Sequence, residues 1–183
     1  MMMAGFTMGW AWMAENILNG SDYYMVVIIF SFLSYGFIGY AIYSFIISKK
    51  VSSNTINVKE LETKKRIKSF YINFGIEVIV IGIVYGILSY LRLNNFITPS
   101  IALIIGLHFY PLAKIFKRNI DYYFASWTCI VAICGIVMLI FKSLKVSDIC
   151  TLVSIGVALA TTGYGIYMLY TGRKYAKEWT LQL

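Results

Sequence analysis

A chain of 183 residues that is 60% hydrophobic and 13% charged, with mean hydropathy +0.74, has more apolar side chains than one core of that size can hide. Soluble domains carry about 25% charged and about 45–50% apolar residues, so the solvent for much of this surface is lipid and a soluble enzyme or carrier is excluded. The formal charge of +8 does not point to nucleic acid, because the basic residues fall in short gaps between apolar runs, where the positive-inside rule and anionic lipid head groups account for them.

Residues 1–22 are apolar up to Met13 and then polar at Glu15, Asn16, Asn19 and Asp22. The apolar part is too short to span, and no basic segment precedes it, so neither a full crossing nor a cleavable signal peptide is expected. Phe6, Trp10 and Met13 recur at helical spacing and predict a short interfacial or re-entrant helix, with a sixth short span as the alternative. Five longer apolar runs follow: Tyr24 to Ile47, Ser69 to Leu91, Phe96 to Phe116, Tyr122 to Phe141 and Ile149 to Tyr170. Each comes close to the roughly 20 residues a helix needs to cross the hydrocarbon. The runs are continuously apolar, not alternating, which predicts helices and not a barrel. The expected fold is therefore all-α: one membrane domain over 1–183, a bundle of five transmembrane helices plus the N-terminal helix. Tyr23, Tyr24, Tyr90, Tyr122, Tyr123, Tyr170 and Trp179 sit near the ends of runs, as an interfacial aromatic belt requires.

The gap at 48–68 is basic, with Lys49, Lys50, Lys59, Lys64, Lys65, Arg66 and Lys68. Lys114, Lys117 and Arg118 occupy the third gap, and Arg173, Lys174 and Lys177 the tail at 171–183. Of the 16 lysines and arginines, Arg92, Lys142 and Lys145 alone lie in the alternate gaps. This asymmetry places the long loop, the third gap and the C-terminus in the cytoplasm and the N-terminus outside, in a cell (inner or plasma) membrane. Within 48–68, acidic Glu60 and Glu62 precede basic Lys64, Lys65 and Arg66, which predicts a short surface helix leading into the second span. Lys64, Lys65, Arg66 and Lys68 are expected to face anionic lipid head groups. No internal repeat is evident, which disfavours a transporter built from inverted halves.

Small residues at four-residue spacing predict helix packing: Gly82 with Gly86 in the second run, and Ser154, Ala158 and Thr162 in the fifth. Cys129, Cys134 and Cys150, an odd number, read as small buried hydrophobes and not as a disulfide set. One histidine and scattered cysteines lack the ligand count of a zinc site, and no H-E-x-x-H or G-x-S-x-G is present. No catalytic residue, cofactor or metal is therefore expected, and no enzymatic activity.

Glu77 and His108 stand apart, because an ionisable group near the bilayer centre is unfavourable by about 2.5–3.5 kcal/mol on insertion scales. With the orientation above, Glu77 lies roughly 12 Å from the cytoplasmic end of its run and His108 roughly 12 Å from the same face. Their runs are joined by a short gap at Arg92 to Asn95, which makes them antiparallel neighbours. An acid and a base are thus expected at one level on adjacent helices, sharing one proton and titrating as a unit. Asn73, one turn before Glu77, points the same way and is expected to donate to the carboxylate. Pro111 removes the N–H that would bond the Leu107 carbonyl, which predicts a kink or local opening beside His108.

The run Gly106-Leu107-His108-Phe109-Tyr110-Pro111 resembles a G-x-H-F-x-P element of small multi-pass membrane proteins of bacteria, a family without an assigned activity. The resemblance implies that His108 and Pro111 belong to a recurring device. The function expected is a bacterial inner-membrane protein with a proton-titratable Glu–His site, serving small-solute or proton permeation or sensing. The alternative is a structural or accessory membrane protein, an immunity factor or complex subunit, in which the pair only holds helices together. Partners compatible with either are the lipid bilayer, a second copy of the chain or another membrane protein. The orientation has a direct test: in intact cells Ser52→Cys should resist a membrane-impermeant thiol reagent and Asn94→Cys should react, above the background of the native cysteines. Equal labelling overturns the topology.

Overall fold

The computed structural model describes residues 2–19, 21–22, 24–51 and 58–180. Within them the chain forms α1 (Met2–Leu18), α2 (Met25–Val51), α3 (Val58–Tyr90), a single 3₁₀ turn (Asn94–Phe96), α4 (Ile97–Phe116), α5 (Asn119–Ile140) and α6 (Val146–Thr180), with no strand among the described residues. Five of these helices, α2 to α6, are long and apolar enough to cross a membrane. The boundaries differ from the expected ones where charged residues are good helix formers. The segment expected as a basic loop is helical up to Val51 and again from Val58, so the predicted surface helix is the start of α3 itself. Likewise α6 continues to Thr180 through most of the expected tail. Lys, Glu, Leu and Arg all favour helix, and acidic residues ahead of basic ones reinforce it. Residues 52–57 and 181–183 of the loop and tail lie outside the described residues. Lys64, Lys65 and Lys68 are exposed, and Arg66 is half-buried.

Three helices stop in the same way. Arg92, Lys117 and Lys142 take positive φ of 58°, 53° and 50° after α3, α4 and α5. The next amide in each case reaches back five residues: Leu93 to the Leu88 carbonyl at 2.8 Å, Arg118 to Ala113 at 3.1 Å and Ser143 to Met138 at 3.1 Å. Glycine usually takes this left-handed position. A basic side chain at a helix C-terminus faces the negative end of the macrodipole instead, which offsets part of the roughly 1–2 kcal/mol steric penalty.

The helices fall into two compact units. One contains α3, α4, α5 and the first part of α6, up to Val157. Here α4 is the central helix, packed against both α3 and α5. Glycines set the close approaches: a Cβ at Gly106 of α4 would stand 2.8 Å from Cys129 Sγ and 3.0 Å from the Cys129 backbone nitrogen on α5, and one at Gly135 of α5 would collide with Val153 of α6. Trp127 donates its indole N–H to the Gly156 carbonyl at 3.2 Å. Ser154 is buried in this unit. Gly82 and Gly86 do not pack: a Cβ at either would meet nothing within 4 Å. The reason is rotational. α3 meets α4 through the stripe that contains Phe70, Asn73 and Glu77, and Gly82 and Gly86 lie roughly 140° and 180° round the helix from Glu77.

The other unit contains α1, α2 and the remainder of α6 from Ala158. α1 packs with Ala4, Thr7, Trp10, Ala11, Ala14 and Glu15 buried, a face of mostly small side chains. Phe6 and Met13, expected to line it, are only half-buried, because small residues admit closer helix contact. The Thr7 hydroxyl donates to Thr161 at 2.9 Å and Ser31 donates to Met8 Sδ at 3.3 Å. α1 is therefore level with interior turns of α2 and α6, not with their ends. Ala158 and Thr162 are buried here, and Phe37 lies against Gly165.

The contrast between packed and open glycines is testable by thermal unfolding in detergent. Gly106→Val should destabilise by about 1–3 kcal/mol, because the backbone of Cys129 cannot move aside. Gly82→Val should stay within about 0.5 kcal/mol of the wild type.

Candidate functional site

Asn73 and Glu77 are four residues apart on α3, so they share one face of the helix. That face meets α4, as the Phe70 and Phe116 rings show with centroids 6.1 Å apart near the basic end of both helices. Seven residues further along α3 and eight back along α4, Glu77 and His108 meet: Glu77 Oε2 lies 3.3 Å from His108 Nδ1, with side chains 4% and 8% exposed. The antiparallel pairing of consecutive helices is what brings them level.

Asn73 completes the group, but on a different partner from the one expected. Its Nδ2 lies 3.0 Å from His108 Nδ1 and 3.5 Å from the His108 backbone oxygen, so the amide engages the histidine and not the carboxyl. The Glu77 oxygen is close to Nδ1 without making an aligned hydrogen bond to it, and it is fully buried. Nδ1 thus has two polar neighbours and room for one bond. An ion pair is geometrically within reach, yet the amide holds the nitrogen.

α4 runs unbroken from Ile97 to Phe116 through Pro111, so the predicted opening beside His108 takes the form of one missing donor. Without an N–H at Pro111, the Leu107 carbonyl, one residue from the imidazole, loses its partner within the helix. On α4 two positions beyond His108, Tyr110 faces α5, its hydroxyl 3.1 Å from Ser126 Oγ and its ring 6.0 Å from that of Tyr122. Two polar side chains of α4 near its basic end therefore face opposite ways: His108 turns to α3 and Tyr110 to α5.

Two buried acids escaped the sequence reading, Glu15 near the end of α1 and Asp121. Asp121, 0% exposed, sits in the first turn of α5 with Oδ2 3.4 Å from Arg118 Nε, and the Arg118 guanidinium lies 4.6 Å over the Phe116 ring. In the sequence, Arg118 counts only among the basic residues of the third gap. The available signal for Asp121 was an acidic residue just inside a helix start, where the macrodipole favours it. Cys150 donates to the Asn95 carbonyl at 3.7 Å, and the three cysteines are free thiols: Cys129 and Cys150 are buried as expected, whereas Cys134, also expected to be buried, is exposed on α5. Among the described residues, no three His, Cys, Asp or Glu side chains come together as a metal site.

Removing one member of the group should be worse than removing all of it. His108→Ala leaves a half-buried amide and a buried carboxyl without their neighbour and should destabilise by about 1–3 kcal/mol. Replacing Asn73, Glu77 and His108 together by Leu should recover most of that loss, because apolar groups of similar shape need no partner. Chemical unfolding in detergent micelles compares the two.

Comparison with protein-family models, with curated proteins and with solved structures finds no match for this chain.

Proposed function

We propose that this protein is a multi-pass membrane protein of the bacterial plasma membrane whose third and fourth helices hold a proton-titratable site formed by Glu77, His108 and Asn73. The site serves proton or small-solute permeation, or sensing of pH, without enzymatic turnover. The observation that carries this reading is the 3.3 Å approach of a buried carboxyl to a buried imidazole. Intramembrane ionisable residues are rare, face the interior of a bundle and mark ion or proton pathways. A site that needed only to hold two helices together could use Ser, Thr or Asn, which bond across helices without the insertion penalty of an acid.

In this reading the basic ends of α2, α3, α4 and α6 are cytoplasmic and lie against anionic head groups. α1 is a re-entrant helix, in keeping with its contacts to interior turns at Ser31 and Thr161. The resemblance around His108 and Pro111 agrees with a bacterial source.

Purified protein in liposomes loaded with a pH-sensitive dye tests the proposal. Wild-type protein should dissipate an imposed proton gradient or change its tryptophan fluorescence with pH. Glu77→Gln and His108→Asn should each reduce the response at least about tenfold, the equivalent of about 1.4 kcal/mol, with normal insertion. Should both variants keep the full response and lose only thermal stability, the accessory reading stands and the proton site falls.

A further inference from the structure

The geometry around His108 Nδ1 determines which atom holds the shared proton. The His108 backbone oxygen can only accept hydrogen bonds. The Asn73 atom 3.5 Å from it is therefore the amide nitrogen, a donor, and not the amide oxygen. The same nitrogen lies 3.0 Å from Nδ1. A neutral imidazole has one N–H and one lone pair, on different nitrogens, so an N–H arriving at Nδ1 requires the lone pair there and the ring proton on Nε2. An ionised carboxylate 3.3 Å from that lone pair would set negative charge against negative density in a medium of low dielectric constant. A neutral carboxylic acid meets no such repulsion.

We propose that Asn73 is a positioning residue that latches His108 in the Nε2-protonated form and so keeps the shared proton on Glu77. When Asn73 lets go of Nδ1, the proton crosses: the O–H bond at Glu77 Oε2 breaks with its electron pair left on oxygen, and an N–H bond forms from the Nδ1 lone pair. The products are an imidazolium and a carboxylate, with net charge unchanged and no further reactant required. This mechanism rests on the proton-site reading above and assigns its internal step.

The groups around the imidazole are consistent with a two-position latch. From α3 come Asn73 and Glu77. From α5, which also packs on α4, Ser126 engages Tyr110, and Thr128 and Cys129 lie against Gly106; from α6, Cys150 meets Thr98 near the opposite end of α4. The neighbour on α4 is the Phe109 ring, edge-on at 6.2 Å. Nothing charged other than Glu77 touches the ring among the described residues, so the competition for Nδ1 is between one amide and one acid.

The chain has a single histidine, so ring-labelled ¹⁵N-histidine incorporated into the full-length protein in liposomes reports this site with no assignment step. At neutral pH the wild type should give an unprotonated Nδ1 and a protonated Nε2. Asn73→Ala should shift the Nδ1 signal to the protonated position, and the double variant Asn73→Ala with Glu77→Gln should shift it back, because no acid remains to supply the proton. A protonated Nδ1 in the wild type overturns the latch even if neither variant inserts, and so does an unmoved signal in Asn73→Ala. The ring spectrum tests the latch alone, whereas the gradient measurement tests the proton-site reading. A wild-type spectrum as expected, with a gradient response indifferent to Glu77→Gln, would sink that reading and leave the latch standing.

Discussion

The contact between α3 and α4 is the constraint on which the rest of this structure depends. Over its apolar length α3 presents Tyr71, Ile72, Ile76, Ile79, Ile83 and Ile87 outward, and hydrocarbon around such side chains gives no push towards a neighbouring helix. What holds one span to another in lipid is close packing and polar contact. α3 supplies both on one stripe: the Phe70 ring against Phe116, and Asn73 with Glu77 against His108. Glu77 is buried beside the imidazole, and turning it towards α4 sets the rotation of α3, which leaves the isoleucines of its other faces exposed.

α4 carries the same logic to its other side. Gly106 brings it against the backbone of Cys129, and Tyr110 meets Ser126, so the helix that holds the histidine is itself clamped between two partners. Pro111 deprives α4 of one internal hydrogen bond close to the imidazole without ending the helix. A rigid frame with one local weakness is what a latch needs, since the ring must be held in register while a single contact exchanges.

The charged residues have two uses in this chain. Their distribution between gaps is what the proposed orientation rests on, and three of them also close helices in the left-handed conformation, at Arg92, Lys117 and Lys142. Using a basic residue where glycine is common joins termination to interfacial anchoring: the backbone turns at the level where the side chain needs water. Arg118 adds a third use, stacking on Phe116 while its Nε faces the buried Asp121.

How much of this was legible follows from the range of each interaction. Five apolar helices follow from composition along the chain, because transfer of a segment into lipid depends on that segment's own side chains. The matching height of Glu77 and His108 was also accessible, since a short gap forces antiparallel neighbours and the helical rise converts residue number into depth. Rotation was not. Whether Gly82 and Gly86 face a neighbour, whether Asn73 serves the acid or the ring, and which face of α1 is buried all depend on how one helix turns against another. That angle is set by side chains on two helices together, and a one-dimensional pattern contains only one of the two.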